Sequence, residues 1–158
     1  MPKKSAGLLV YRQAAGDIEV LLVHPGGPFW RNKDEGAWTI PKGEFDESED
    51  PLAAAKREFK EETGSAPPNG PYISLKPIKQ KNGKMVHAWA VEGDFDPGEL
   101  NSNTFLCEWP PKSGRMQEFP EVDRAEWFAP DVAKEKMLSG QPALIDELND
   151  WLAQGSQG

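Results

Sequence analysis

The sequence predicts an α/β (α+β) sandwich in which a mixed β-sheet is packed between helices. Apolar, β-branched segments open the chain at 6–12 and 18–24, one helical segment at 51–63 is flanked by strand segments, and helical patterns close the chain. Because strands lie on both sides of one central helix without regular βαβα alternation, a doubly wound parallel sheet is not expected. The length of 158 residues indicates one domain, which we assign to 1–154, with 155–158 as a disordered tail.

Turn residues delimit the elements of the first half of the chain. The sequence Ala-Ala-Gly-Asp at 14–17 predicts a hairpin loop between the two opening strands. Glycine and proline residues in 25–36 predict a loop, and 38–40 is typical of a short strand that Pro41 ends.

The central helix has a start signal, a stop signal and an apolar stripe. Asp50 is a good N-cap, Pro51 suits the first helical position, and Gly64 supplies the C-terminal stop. Apolar side chains recur at spacings of three or four and should pack on the sheet; they are Leu52, Ala55, Phe59 and Thr63.

The second half of the chain alternates strands and loops before two closing helices. Strands are predicted at 72–79 and 84–92 around a hairpin turn at Lys81-Asn82-Gly83-Lys84. The remaining predicted elements are strands at 105–109 and 126–128, a loop over most of 110–123, and helices at 131–139 and 142–153.

The charge balance is acidic, with 26 Asp and Glu residues against 18 Lys and Arg residues and a formal net charge of −8. Bulk binding of nucleic acid is therefore not expected, and a phosphate ligand would need a local cation. No apolar run approaches the roughly 18 residues of a membrane helix, so no membrane partner is expected. The single cysteine, Cys107, is expected to be buried, and its lack of a disulfide partner suits a cytoplasmic location.

Three carboxylates share one face of the central helix. Glu58, Glu61 and Glu62 stand at i, i+3 and i+4, where they repel each other, and Arg57 can reach only part of the set. A hard divalent cation such as Mg²⁺ accepts oxygen ligands and retains positions for a phosphate substrate. The alternative interpretation of these residues is a solvated acidic helix face.

The spacing of these residues resembles the Nudix box, the signature of the Nudix hydrolase family. That pattern places fixed Gly, Glu, Arg-Glu, Glu-Glu and Gly residues at set separations around one apolar position, which Phe59 fills here, while Ser65 departs from its final apolar residue. The matching residues are Gly43, Glu49, Arg57, Glu58, Glu61, Glu62 and Gly64.

The resemblance implies a Nudix-like sandwich that holds Mg²⁺ or Mn²⁺ and hydrolyses a nucleoside diphosphate linked to another moiety. It implies that Glu58, Glu61 and Glu62 are metal ligands or their immediate partners, completed by the backbone carbonyl of Lys42 and by Gly43. It also implies that Arg57 and Glu49 orient these glutamates, Glu49 alternatively reaching a second metal through water, so that the catalytic set includes Arg57, Glu49 and Glu58.

Two shorter resemblances concern the substrate and the general base. Trp38-Thr39-Ile40-Pro41-Lys42-Gly43 is similar to a segment of the family's diadenosine polyphosphate hydrolases, which implies that Lys42 contacts phosphate; the same Pro-Lys-Gly occurs in its diphosphoinositol phosphatases. Pro120-Glu121-Val122-Asp123, with Trp127, is similar to a stretch of bacterial dinucleotide polyphosphate and RNA 5′-pyrophosphate hydrolases. That likeness implies that Glu121, on a mobile loop, is a metal ligand or general base, with Glu118 as the close alternative and Glu108 as a more distant one.

These resemblances predict a metal-dependent pyrophosphohydrolase whose partner is a small nucleoside polyphosphate, most readily a dinucleoside polyphosphate. Alternatives are a nucleoside triphosphate, a nucleotide sugar, an RNA 5′-pyrophosphate, an inositol pyrophosphate, or a non-catalytic Nudix-like module that binds a nucleotide or a protein. The sequence leaves the oligomeric state open. His24 and His87 are expected to be structural, and side chains with the capacity to stack on a base are Trp30, Trp89, Trp109 and Tyr72.

Overall fold

Strand β1 (Lys4–Ala14) is the centre of the main sheet. It pairs in parallel with β6 (Met85–Glu92) along one edge. Its other edge is shared by two antiparallel partners, β3 (Lys42–Phe45) at its beginning and β2 (Asp17–Pro25) at its end. The computed structural model describes residues 4–14, 16–80 and 83–155.

Three further strands complete the seven-stranded mixed sheet, and two more form a separate two-stranded ribbon. In the main sheet, β9 (Val122–Phe128) pairs with β2, and β4 (Ile73–Ser74) and β5 (Ile78–Lys79) pair with β6. The ribbon consists of β7 (Thr104–Glu108) and β8 (Met116–Pro120). The helices are α1 (Pro51–Thr63), α2 (Pro130–Lys136) and α3 (Pro142–Gly155), with one 3₁₀ turn at Pro97–Glu99. Within the described ranges, every helix is too short or too polar to cross a bilayer.

Side chains of β1 alternate between two buried layers. Leu8 and Val10 pack in the layer that contains Phe59 of α1, whereas Leu9 and Tyr11 pack in the layer that contains Leu148 of α3. Because both faces of the strand are covered, its sequence is a continuous apolar run rather than an alternating one. The predicted fold class, a mixed sheet packed between helices, is confirmed.

Helix α1 has the bounds and caps that the sequence predicts. The Asp50 carboxylate accepts a hydrogen bond from the Ala53 amide, and Gly64 adopts φ of 79°, where its amide donates to the Lys60 carbonyl. The stripe residues Ala55, Phe59 and Thr63 are fully buried, and Leu52 is partly buried against the same layer. Of the glutamates on the opposite face of the helix, Glu61 and Glu62 are partly exposed, whereas Glu58 is buried.

A β-bulge interrupts the pairing of β2 with β9. His24 pairs with Arg124 and the next residue, Pro25, pairs with Val122, so β9 carries Asp123 as one extra residue. The bulge explains why Val122 and Ala125, three positions apart, are buried in the same layer.

Some predicted elements are corrected by the structure. In the predicted strand at 38–40, Thr39 and Trp38 form only isolated bridges, to Val23 and Met137 respectively. The strand begins after Pro41 instead. The Pro41 carbonyl accepts a hydrogen bond from the Leu8 amide, which directs the following residues onto β1.

The second half shows further differences. The predicted loop at 110–123 contains β8 and the start of β9, and the strand predicted at 72–79 is divided into β4 and β5 around Leu75–Pro77. The hairpin that joins β5 to β6 is present, although Lys81 and Asn82 at its tip lie outside the described residues.

Candidate active site

Arg57 joins the loop before α1 to the acidic face of the helix. Its Nε and Nη2 donate to the two Glu49 carboxylate oxygens at 2.8 and 2.9 Å, and its Nη1 donates to Glu58 at 2.7 Å and to Glu61 at 3.2 Å. The paired hydrogen bonds to Arg57 lower the pKa of the Glu49 carboxyl. One guanidinium therefore fixes three carboxylates relative to one another.

Glu58 is buried between α1 and β3. Burial raises the pKa of its carboxyl despite the contact with Arg57. A Cβ atom at Gly43 would overlap this carboxylate, so only glycine leaves room for it on β3. The Gly43 position thus has a steric role in placing Glu58.

Glu62 and Lys42 lie together on the inner side of the cluster. The Lys42 amide donates to Glu62 Oε1 at 3.3 Å, which connects β3 to α1. Burial, followed by the negative charge of Glu58, raises the pKa of the Glu62 carboxyl well above its ordinary value. Burial, followed by the positive charge of Lys84, lowers the pKa of the Lys42 ammonium. Each group is thus held where its charge is costly, a pattern typical of functional sites.

Glu121 lies at the junction of β8 and β9 and faces the helix carboxylates. Burial, followed by the charge of Glu61, raises the pKa of its carboxyl, and its own charge in turn contributes to the raised pKa values of Glu58 and Glu62. Its amide donates to the Asn103 carbonyl at 2.8 Å, and its carbonyl accepts from the Gly26 amide at 2.9 Å.

The structure thus places Glu121 between two paired strands rather than within the loop predicted at 110–123. The alternatives lie elsewhere: Glu118 is exposed in β8, paired with Leu106, and Glu108 accepts hydrogen bonds from the amides of Lys112 and Gly114 in the ribbon turn.

A cleft of about 390 Å³ opens beside Glu62 and Glu121. Its other walls are formed by the glycine- and proline-rich loop after β2 and by the inner face of β7; they include Phe29, Trp30, Phe105 and Cys107. The expectation that Cys107 is buried is wrong: the ribbon stands off the main sheet, so the thiol is partly exposed in this cleft.

Of the predicted stacking residues, Trp30 lines this cleft. Trp89 packs in the α1-side layer, the Tyr72 hydroxyl donates to the Pro68 carbonyl, and Trp109 belongs to the ribbon turn. Sequence reasoning missed Phe29 and Phe105, although an aromatic pair in the loop at 25–36 was a usable signal.

His24 has the structural environment that the sequence predicts. Its ring is fully buried, with Nδ1 at 2.8 Å from the Asp123 carboxylate and Nε2 at 2.6 Å from the Lys33 carbonyl. His24 thereby connects the glycine- and proline-rich loop after β2 to strand β9.

The donor chemistry of the cluster fits a divalent metal ion. Glu58, Glu61, Glu62 and Glu121 offer oxygen ligands, and three of them have pKa values raised by burial, so their combined negative charge favours a hard cation. Within the described ranges, no group of three carboxylate, histidine or cysteine side chains already stands in the geometry of a metal site. Arg57 instead occupies oxygens of Glu58 and Glu61.

Known proteins resemble this chain in sequence and in fold. The chain is 47% identical over 62 residues, 39% of its length, to a Caenorhabditis elegans protein named asymmetrical bis(5'-nucleosyl)-tetraphosphatase, of which the match covers 41%. It is 28% identical over 148 residues, 85% of its length, to a Mycolicibacterium smegmatis protein named 8-oxo-(d)GTP phosphatase, of which the match covers 37%. The chain thus spans about two fifths of the length of these curated relatives.

Solved structures extend the likeness to nearly the whole chain. A crystal structure of the C. elegans Ap4A hydrolase in a binary complex superposes with a TM-score of 0.65 and 26% identity, covering 96% of this chain and 98% of that one. The NUDIX domain of Shewanella oneidensis NrtR, complexed with ADP ribose, has a TM-score of 0.63 at 17% identity, covering 96% of this chain and 89% of that one, and shares the fold. A family model described as the NUDIX domain matches residues 1–148. With a matching family model over most of its length and the box residues clustered on one helix and its flanking loops, the chain belongs to the Nudix family.

Proposed function

We propose that this protein is a divalent-metal-dependent pyrophosphohydrolase that cleaves a phosphoanhydride bond of a nucleoside polyphosphate. The observation that carries the proposal is the convergence of Glu121 with Glu58, Glu61 and Glu62 beside one cleft, where burial and mutual repulsion raise three of the four pKa values. Such an arrangement costs folding free energy and is typical of a site built for a cation and an anionic substrate.

The metal site would be formed by Glu58, Glu61 and Glu62 with the backbone of Lys42 and Gly43. A bound Mg²⁺ or Mn²⁺ supplies neutralisation of the phosphate charge and polarisation of the phosphoryl group. Arg57 and Glu49 position the glutamates, since the paired hydrogen bonds between them anchor the loop at the start of the helix.

Two further residues act on the substrate and on the attacking water. The Lys42 ammonium, beside Glu62 and Glu58, binds a phosphate oxygen and orients the anhydride. Glu121 takes the proton from the attacking water, because its raised pKa makes its carboxylate a stronger base than an ordinary glutamate.

A dinucleoside polyphosphate is the substrate that we propose first. The C. elegans relative that shares 47% identity over 62 residues is named for asymmetrical cleavage of such compounds, and the C. elegans Ap4A hydrolase superposes over nearly the whole chain. The second candidate is an oxidised guanine nucleotide, because the M. smegmatis relative, whose name gives 8-oxo-(d)GTP, aligns with 85% of this chain.

A substrate panel tests this assignment. Product analysis with Mg²⁺ and with excess chelator should cover diadenosine tetraphosphate, 8-oxo-dGTP, an unmodified nucleoside triphosphate, ADP-ribose, a 5′-triphosphorylated RNA and an inositol pyrophosphate. We expect the protein to form ATP and AMP from diadenosine tetraphosphate when Mg²⁺ is present and to form neither in excess chelator. Faster turnover of 8-oxo-dGTP would establish the second candidate. Binding without turnover of any compound would establish a non-catalytic module.

A further inference from the structure

The segment before β7, residues 101–103, connects helix α1 to the junction of β8 and β9, and we call it the bridge segment. The Asn101 amide donates to the Thr63 carbonyl at 3.0 Å. The Asn103 amide donates to the Glu61 carbonyl at 2.8 Å. Both carbonyls belong to the last turn of the helix, where carbonyls lack intrahelical partners. The bridge segment is thereby fixed to the turn that carries two glutamates of the acidic cluster.

Close packing also holds the bridge segment against the end of the helix. A Cβ atom on Gly64 would lie 2.5 Å from the Asn101 carbonyl oxygen, so glycine at the helix stop lets the two backbones approach this closely. Leu100, immediately before the bridge segment, packs partly buried in the layer that contains Phe59. The bridge segment is therefore attached to α1 by packing as well as by hydrogen bonds.

The backbone on both sides of Glu121 is held by three hydrogen bonds. Its amide donates to the Asn103 carbonyl at 2.8 Å, and its carbonyl accepts from the Gly26 amide at 2.9 Å. The next amide, that of Val122, donates to Ser102 Oγ at 3.0 Å. These bonds restrict rotation on both sides of the Glu121 Cα atom. The backbone thus fixes the direction in which the Glu121 side chain leaves the strand junction.

Ser102 supplies the side-chain hydrogen bond of this set. Its hydroxyl accepts from the Val122 amide and donates to the Asn103 carbonyl at 2.8 Å, so one group serves as both acceptor and donor. The other two bonds that hold Glu121 are formed between backbone atoms. A substitution at Ser102 therefore removes one support of Glu121 while every backbone group stays in place.

The charge of the acidic cluster works against this placement of Glu121. Burial, followed by the charge of Glu61, raises the pKa of the Glu121 carboxyl, because the two carboxylates repel each other. A general base has to lie within hydrogen-bond reach of the water that it deprotonates. A displacement of about 1 Å can lower a rate by roughly 10²-fold. A backbone that resists the repulsion is therefore needed for Glu121 to act as a base.

We propose that Ser102 is a positioning residue: through the bridge segment, its hydroxyl holds Glu121 at a fixed distance from the metal-binding turn of α1. This inference rests on the proposed function, in which Glu121 is the general base. Ser102 acts only through the backbone on either side of Glu121. Its removal should therefore slow the chemical step, while the affinities for metal and for substrate stay close to those of the wild type.

Ser102→Ala tests this role against a matched control. On the substrate that the panel identifies, with Mg²⁺, we expect kcat to fall about tenfold and KM to stay within about twofold. Ser102→Thr retains a hydroxyl and should restore most of the rate. Ser113→Ala removes the same kind of bond, because Ser113 Oγ accepts from the Arg115 amide at 3.1 Å in the ribbon turn, and it should leave kcat unchanged.

A double-mutant cycle separates the positioning of Glu121 from a general structural role. Adding Ser102→Ala to Glu121→Gln should slow turnover by less than about twofold further, because the residue through which Ser102 acts is already lost. Ser102→Ala alone should keep the acidic limb of the pH–rate profile, since the Glu121 carboxyl is still present. Equal losses of rate in both backgrounds, or the same loss in Ser113→Ala, would overturn the assignment.

Amide hydrogen exchange in excess chelator provides a measurement that needs no turnover. We expect Ser102→Ala to speed exchange at the Glu121 and Val122 amides at least about fivefold, and Ser113→Ala to leave both rates unchanged. Faster exchange in Ser102→Ala, with no hydrolysis of any compound by the wild type, would leave the positioning of Glu121 standing and refute the proposed function. Hydrolysis by the wild type, with unchanged exchange or unchanged kcat in Ser102→Ala, would do the reverse.

Discussion

Glu62 is a proposed metal ligand whose carboxyl lies where ionisation is unfavourable. Its raised pKa means that the folded protein binds a proton here more tightly than the unfolded chain does. The free energy of unfolding therefore falls as pH rises from the ordinary glutamate pKa toward the folded one, so this carboxyl makes the metal-free protein less stable at neutral pH than at acidic pH.

We expect Glu62→Gln to raise the thermal midpoint of the metal-free protein at pH 7 by a few degrees, since about 1 kcal/mol corresponds to roughly 2–4 °C in a chain of this size. The gain should shrink at pH 4, where the wild-type carboxyl is protonated, and metal-dependent turnover should be almost abolished. Calorimetry at the two pH values measures the first effect, with Glu47→Gln, on an exposed loop, as control. A lower thermal midpoint in Glu62→Gln at pH 7 would show that neighbouring groups already compensate the charge of the Glu62 carboxylate.

Glu121 should set the acidic limb of the pH–rate profile. Because burial and Glu61 raise its pKa, that limb should lie above the range of an ordinary glutamate, with activity lost as pH falls through it. Glu121→Gln is expected to slow turnover by roughly 10²–10⁴ and to remove the limb, with little change in metal affinity. Glu118→Gln, on the exposed ribbon, is the control and should be mild. If Glu118→Gln proves the crippled variant, the base lies three residues earlier; if neither matters, Glu58 is the first candidate.

Local residues of the site could be predicted from the sequence, whereas contacts across the chain could not. Glu58, Glu61 and Glu62 share a helix face by spacing alone, and the caps of α1 are adjacent in sequence. The location of Glu121 depends on hydrogen bonds to Gly26 and Asn103, which are distant in the chain. Proline and glycine in 110–123 indicated a loop because the turn between β7 and β8 uses them, and pairing with β7 still makes 116–120 a strand.

At the scale of elements, α1 depends on Phe59 for its attachment to the sheet. The ring is 1% exposed and meets Phe95 edge to face at 6.3 Å. Phe59→Ala should lower the free energy of unfolding by roughly 3–5 kcal/mol, because the neighbours cannot collapse fully into the space left behind. Urea denaturation provides the measurement.

Leu52→Ala is a graded comparison, since Leu52 packs on the same layer but is only partly buried, and it should cost less. An unchanged unfolding midpoint in Phe59→Ala would show that the helix is not held by its apolar stripe.

Strand β9 shows how an irregularity hides an element from sequence analysis. Val122 and Ala125 are both buried but three residues apart, so the period-two pattern of a half-buried strand is broken at Asp123. Residues 126–128 were the part of the strand without such an interruption, which is why the prediction captured only them. Strands β1 and β6 presented no such difficulty, because their paired residues follow one another without a bulge.

At the scale of the whole molecule, a metal ion should stabilise the fold. Binding only to the folded chain adds about 2.7 kcal/mol at a hundred times the dissociation constant, which corresponds to roughly 5–10 °C in thermal midpoint. We expect Mg²⁺ or Mn²⁺ to produce such a rise, excess chelator to reverse it, and activity to follow the same course.

A net charge of −8 means that any salt reduces general repulsion, so NaCl at matched ionic strength is the necessary control. Glu61→Gln should lose most of the metal-specific rise. An equal rise in wild type, Glu61→Gln and NaCl would mean that the effect is screening, and turnover undiminished by chelator would exclude the metal mechanism.

The bulge at Asp123 is not needed for the alternation of buried side chains along β9, but it supplies a contact that anchors one wall of the cleft. Removing residue 123 would place Val122 and Ala125 two positions apart, so strict alternation would keep both on their buried face. The sheet therefore has no need of the extra residue. The deletion would remove the carboxylate partner of His24. The His24 ring also contacts the Lys33 carbonyl and thereby holds the base of the loop that contains Trp30. In this protein one extra residue in β9 anchors the loop that follows the neighbouring strand β2, so a deletion at this position should alter the cleft beside the carboxylates while leaving the sheet intact.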